Sequence, residues 1–216
     1  MIKKVILIFL CCSLVTANSI VKRSNLTLLN KVIYIDPGHG GRDKGTSYNN
    51  IIEKDINLKI SLLLRDKLLE EGAIVFLTRD EDIDLSKESD YSKKRGDLNR
   101  RIKLIEDSKA DMYISIHTNW YNDSKYRGID VMYNKINKNN YILAEYISNS
   151  LNNNLLKVRE IKKINDYMYR NINIPGVLVE CGFLSNYTDR NLLQDEKYYD
   201  VLTDGIRTGI IDYFNN

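Results

Sequence analysis

The stretch from Val32 to Thr78 constrains the fold more than any other part of the chain. Val32-Ile33-Tyr34-Ile35-Asp36 is an apolar, β-branched run cut off by Pro37-Gly38, which reads as a buried strand followed by a loop. From Ile51 to Glu71, residues Ile52, Ile56, Ile60, Leu63, Leu64 and Leu68 recur at three- and four-residue steps, the period of a helix, and Gly72 supplies a stop. Ala73 to Thr78 is a second strand. Strand, helix and strand in this order form a βαβ unit, whose strands run parallel because the helix carries the chain back across the sheet.

The rest of the chain continues the pattern. Arg79 to Asp97 is charged, lacks apolar periodicity and reads as a surface loop. Asp97 to Ser108 reads as a helix with Leu98, Ile102 and Ile105 on one face, and strands follow at Met112 to Ile116 and Gly128 to Tyr133. Tyr141 to Leu156 is helical by its period, Ile174 to Val179 is a last strand, and Asp189 to Tyr213 is largely helical. With 216 residues, 43% of them hydrophobic and 28% charged, there is material for one ordinary domain and too little for two. The expected fold is a single α/β domain over residues 25–216, with a mixed, mostly parallel sheet. A formal charge of +3 is too small for a nucleic-acid footprint, so no nucleic-acid partner is expected.

Residues 1–24 read differently. Met1-Ile2-Lys3-Lys4 is a basic start, Val5 to Ala17 is an almost uncharged apolar run, and polar Asn18 and Ser19 follow. This is the layout of a secretory signal peptide, with Val15-Thr16-Ala17 as a small-residue cleavage site. The run falls short of the ~20 residues of a comfortable transmembrane helix. Export with cleavage is therefore expected over an uncleaved membrane anchor. With the signal removed, Cys181 is the one cysteine left, so stability comes from the core and from any bound metal rather than from a disulfide.

The chain has two histidines, His39 and His117, each at the carboxyl end of an expected strand. In open α/β sheets ligands gather in the crevice outside those strand ends, so both can face one crevice. A lone histidine beside a strand is ordinarily a hydrogen-bonded structural residue, but two at equivalent strand ends argue for a shared role. A catalytic zinc site takes three protein ligands and keeps a position open. Glu53, at the start of the first helix, is a candidate third ligand, although by position alone the better reading is an acid favoured by the helix dipole, since acids in first helical turns are common. Glu180 directly follows the Ile174 to Val179 run and is a candidate general base or an ordinary salt-bridge partner. Gly38-His39-Gly40-Gly41 lacks the Lys-Ser/Thr of a P-loop and does not fit G-x-G-x-x-G. Neither Ser115 nor Cys181 sits in the strand–turn–helix elbow that exposes a nucleophile.

Taken together, these segments resemble a known family. Val32 to Gly41, then Glu53-Lys54-Asp55-Ile56-Asn57-Leu58, then Leu77-Thr78-Arg79 are similar to the opening of the zinc-dependent N-acetylmuramoyl-L-alanine amidases of the amidase 3 type. Ser115-Ile116-His117-Thr118-Asn119 and Leu178-Val179-Glu180-Cys181-Gly182-Phe183-Leu184-Ser185-Asn186 are similar to that family's later histidine and glutamate blocks. The resemblance implies a six-stranded sheet flanked by helices, Zn²⁺ held by His39, Glu53 and His117, and Glu180 as the catalytic carboxylate. It implies hydrolysis of the amide between the muramic lactyl group and L-alanine in peptidoglycan. Thr118 stands where alanine is usual, and the loop Asp80 to Asp97 is somewhat long. A compact catalytic domain behind one apolar segment further resembles the sporulation amidases of endospore formers, whose action permits muramic lactam to form in the spore cortex. An exported location and a separate activating partner protein are expectations of that likeness. Two other readings fit the same residues: a zinc carboxypeptidase acting on the stem peptide, and a wall-binding protein that keeps the fold without catalysis.

Overall fold

The computed structural model describes residues 26–154 and 156–216, and the expected signal segment lies outside them. The first strand, β1 (Val32–Pro37), leads through a hairpin of β2 (Ser47–Tyr48) and β3 (Ile51–Ile52) into helix α1 (Glu53–Glu70) and strand β4 (Ile74–Leu77). Helix α2 (Lys93–Ser108), strand β5 (Met112–Asn119), strand β6 (Asp130–Tyr133) and helix α3 (Asn139–Asn153) follow. The chain closes with β7 (Lys162–Lys163), a 3₁₀ turn at Tyr169–Asn171, β8 (Gly176–Phe183), and helices α4 (Tyr187–Leu192) and α5 (Glu196–Asn215).

Six strands form one sheet in the order β4-β1-β5-β8-β6-β7. The pairs β4–β1, β1–β5, β5–β8 and β6–β7 are parallel, and β6–β8 is antiparallel, so the sheet is mixed and mostly parallel, as the sequence implied. Alternation along the strands sorts side chains between two apolar layers. Ile33, Ile35, Ile114, Ile116, Val177 and Val179 pack with Ile60 and Leu64 of α1, Ile147 of α3 and Ile206 of α5. Tyr34, Tyr113 and Leu178 point to the other face, with Ile105 of α2 and with Met168, Tyr169 and Ile172 around the 3₁₀ turn. Ile60, Leu64 and Leu68 of α1 are fully buried, each contributing roughly 1.5–3 kcal/mol of apolar transfer. Among the described residues no helix is long and apolar enough to cross a membrane.

Element ends differ from the sequence reading where local capping wins over hydrophobic period. Ile51 and Ile52 belong to a strand, because Asn49 adopts a left-handed φ of 54° and turns the chain back on itself. Helix α2 starts four residues before Asp97, where the Ser92 side chain accepts from the Arg95 amide. The expected helix from Asp189 to Tyr213 is two helices, since Asp195 caps α5 with its own side chain. Strand β8 runs past Val179 to Phe183, which places Glu180 inside the strand rather than after it. His117 likewise lies within β5, which continues to Asn119.

Candidate metal centre and active site

His39, Glu53 and His117 converge: one ligand atom from each lies within 4.8 Å of the others. Glu53 Oε1 is the meeting point, 3.2 Å from His39 Nε2 and 3.1 Å from His117 Nδ1. The backbone explains why these residues meet. Parallel β1 and β5 pair Pro37 with Ile116, so the loop after β1 and the end of β5 leave the sheet side by side. Gly38 must be glycine, since a Cβ there would sit 2.3 Å from the His117 ring. Gly45 is under a similar constraint, with φ of +65° and a Cβ position 2.4 Å from Glu53 Oε2.

Buried cations hold the His39 loop in place. Arg79 donates to the carbonyls of Pro37, Gly38 and Lys54 at 3.0, 3.0 and 2.9 Å. Arg101 donates to the Pro37 and His39 carbonyls at 2.8 and 2.6 Å and pairs with Asp36 at 2.7 Å and Asp97 at 2.8 Å. The charged loop before α2 is tied to the same turn. Asp82 bonds the Gly41 amide at 2.8 Å and Lys54 at 2.6 Å, and Asp84 pairs with Arg42.

Glu53 is almost fully buried, and backbone amides hold both of its carboxylate oxygens. Oε2 accepts from the Thr46 amide at 2.7 Å, and Oε1 accepts from the Thr118 amide at 3.1 Å. The Thr118 hydroxyl donates to Asn57 Oδ1 at 2.8 Å, which turns the Asn57 amide nitrogen toward the Gly38 carbonyl and Glu53. A threonine at 118 thus adds a hydrogen bond that alanine cannot make. Burial alone would raise the Glu53 carboxyl, but hydrogen bonds and charge from His117 and His39 outweigh it and hold the group far below the usual carboxylate range.

Each histidine has a partner behind it. His39 Nδ1 lies 2.9 Å from Asp43 Oδ2, and despite the opposing effect of burial, Asp43 and Glu53 raise the imidazole to about 9. His117 Nε2 lies 3.4 Å from the Tyr169 hydroxyl, which donates to Ser115 Oγ at 3.2 Å. Ser115 donates in turn to Asp36 Oδ2 at 2.6 Å, joining His117 to the Asp36–Arg101 pair. Asp43 and Tyr169 were not singled out in the sequence. Asp43 carries a local signal, four positions after His39, whereas Tyr169 reaches His117 across 52 positions and has none.

Glu180 stands next to His117 in the β5–β8 register and opposite Asp130 on β6. Its Oε2 is buried with no hydrogen-bond partner among the described residues. Burial, then the charges of Glu53 and Asp130, push its carboxyl up to about 8. A cavity of about 320 Å³ opens at this edge, lined by His39, Asp43, Lys94, Arg101, His117, Tyr167 and Tyr169 among others. A larger one of about 770 Å³, between α1 and α5, contains none of the four residues and offers no comparable chemistry. The structure therefore brings His39, Glu53 and His117 together, with both histidines lining the cavity and Glu53 buried behind them, and pairs Glu180 with His117 in the sheet. Two imidazole nitrogens and one carboxylate oxygen make a donor set that can hold a metal ion.

The comparisons agree with this geometry. Residues 33–212 match the amidase 3 profile, described as N-acetylmuramoyl-L-alanine amidase. The germination-specific N-acetylmuramoyl-L-alanine amidase of Bacillus subtilis is 40% identical over 215 residues, covering 97% of this chain and 91% of that protein. The amidase LytC of the same organism is 32% identical over 87% of this chain, which corresponds to 36% of LytC. Among solved structures, the CwlD amidase of Clostridioides difficile, in complex with the GerS lipoprotein, superposes with a TM-score of 0.81. It is 38% identical, with 86% of this chain and 99% of that one covered. The chain belongs to the N-acetylmuramoyl-L-alanine amidase family of the amidase 3 type.

Proposed function

We propose that this protein hydrolyses the amide between the lactyl carboxyl of N-acetylmuramic acid and L-alanine in peptidoglycan, in a zinc-dependent reaction. The observation that carries this reading is the convergence of His39, Glu53 and His117 beside the unpaired buried oxygen of Glu180. The donor set fits Zn²⁺: His39 Nε2, His117 Nδ1 and a Glu53 oxygen would hold it and leave a position open. When bound, the ion supplies a Lewis acid that polarises the lactyl carbonyl and acidifies water.

The remaining work falls to the chain's own groups. Asp43 and Tyr169 hold the two imidazoles by their outer nitrogens, which fixes ring orientation and leaves the inner nitrogens as lone-pair donors. Thr46 and Thr118 amides hold the Glu53 carboxylate. Glu180 in its ionised form, which a bound cation would favour, takes a proton from the attacking water and delivers it to the departing alanine nitrogen, and its burial strengthens its hold on that proton between the two steps.

The likeness to the Bacillus subtilis germination-specific enzyme supports a role in spore cortex maturation, where stripped muramic acid can close to its lactam. Peptidoglycan lies outside the cytoplasmic membrane, in keeping with export directed by residues 1–24. The Clostridioides difficile relative was solved with a lipoprotein partner, which supports a separate partner protein here too.

The test is product analysis. Peptidoglycan incubated with the purified protein and zinc should release peptides that begin with L-alanine, and chelation should stop the release. Liberation of single carboxyl-terminal amino acids instead would identify a carboxypeptidase and overturn the proposal.

A further inference from the structure

A group of exposed rings gathers at the same sheet edge, and the chemistry above leaves it unused. Trp120 follows His117 by three positions at the end of β5, and Tyr48 precedes Glu53 by five in the β2–β3 hairpin. Their rings stack with centroids 6.2 Å apart and planes inclined by 25°. The Arg190 guanidinium lies 3.8 Å from the Tyr48 ring centroid and 5.9 Å from that of Tyr187. Tyr48, Trp120 and Tyr187 remain 36%, 40% and 71% exposed. Core packing does not require large rings in water, and clustered exposed rings are a feature of interaction sites.

The stack is anchored to the strands that carry the site. The Trp120 amide donates to Asn119 Oδ1 at 2.7 Å, and the Asn119 carbonyl accepts from the Leu184 amide at 2.9 Å. Arg190 donates to the Leu184 carbonyl at 2.7 Å. Trp120 and Arg190 are therefore referenced to β5 and β8, the strands of His117 and Glu180, and Tyr48 is held between them.

We propose that Trp120 and Tyr48, braced by Arg190, form a stacking platform for the sugars of the peptidoglycan glycan strand. This rests on the amidase reading, because that reaction fixes where the sugar must be. The scissile amide carbon is joined to the pyranose through the lactyl ether, three bonds away, so a sugar ring lies close beside the reacting carbonyl. Three extended residues reach about 10 Å at most, which keeps the Trp120 backbone within about a disaccharide's length of His117. A pyranose presents an axial C–H face that packs on an aromatic ring. The Arg190 guanidinium adds donors for hydroxyl and acetamido oxygens at the edge of the platform. A protein partner is the competing occupant of exposed rings, and the experiment separates the two.

Trp120 is the single tryptophan of the chain, so intrinsic fluorescence reports on the platform directly. The probe is a peptide-free GlcNAc–MurNAc tetrasaccharide, titrated into the protein with free stem peptide as control. A saturable fluorescence change is expected with the glycan and none with the peptide. Tyr48→Ala, which keeps the reporter and alters an exposed ring, should weaken glycan binding about 10-fold. No response to the glycan, or a response that Tyr48→Ala leaves intact, overturns the platform. The signal needs no turnover. Amide cleavage without a glycan response thus removes this proposal alone, and a glycan response without cleavage removes the amidase reading alone.

Discussion

The Tyr169 hydroxyl stands 3.4 Å from His117 Nε2, on the side of the ring away from Glu53. A neutral imidazole carries one N–H, and a hydroxyl placed to accept it at Nε2 leaves Nδ1 as the lone pair facing Glu53. Partners behind a metal-binding histidine typically change affinity by about 10–100-fold when removed. Tyr169→Phe is expected to lower zinc affinity by about 10-fold, read by competition with a chromophoric chelator. Its effect on the metal-free fold should be near 1 kcal/mol, the cost of leaving Ser115 and His117 without a shared partner. Zinc affinity equal to that of the parent protein would mean that the ring is oriented by packing alone.

Arg101 makes the opposite demand on stability. It is fully buried between Asp36 and Asp97 and also grips the carbonyls of Pro37 and His39. Removing one member of a buried pair strands the other charge, at a cost of about 3–5 kcal/mol. Arg101→Met should therefore lower the denaturant midpoint sharply even without metal. Arg101→Lys should rescue little, because an ammonium cannot reproduce the guanidinium's planar spread of donors. A midpoint close to the parent's in either variant would contradict this role.

Zinc uptake should release protons. His39 is raised from 6.5 to about 9 in the metal-free fold, so its charged form stabilises that fold fully below pH 6.5. The contribution fades as pH climbs to about 9. Glu180 acts in the same direction, its neutral form favoured from 4.5 up to about 8. Metal-free stability from these groups thus falls as pH rises, while zinc affinity increases over the same window because a ligating imidazole must be neutral. Titration calorimetry in buffers of different ionisation enthalpy should show net proton release at pH 7. A buffer-independent heat would contradict the His39 assignment.

How much of this could be read from the chain depends on how local each signal is. The βαβ unit from Val32 to Leu77 was legible because apolar period, Pro37-Gly38 and Gly72 agree over one contiguous stretch. His39 and His117 were legible as the chain's two histidines at neighbouring strand ends. Glu53 gained its meaning from the resemblance, since an acid in a first helical turn says little alone. Strand β7 was missed because two lysines, Lys162 and Lys163, carry no strand pattern; pairing with Met132 and Tyr133 makes the strand. The Tyr169–Ser115–Asp36 chain was missed for the same reason, since its members meet only once the sheet is assembled.

The most direct measurement is zinc content and turnover of Glu180→Gln, taken together on one preparation. Glutamine keeps the shape of Glu180 but cannot take up a proton, and Glu180 is not among the three converging ligand residues. Zinc content should match that of the parent protein, while release of L-alanine-initiated peptides from peptidoglycan should fall by about 10²-fold or more. Turnover within a few-fold of the parent, with zinc in place, would contradict Glu180 as the proton carrier and with it the proposed chemistry.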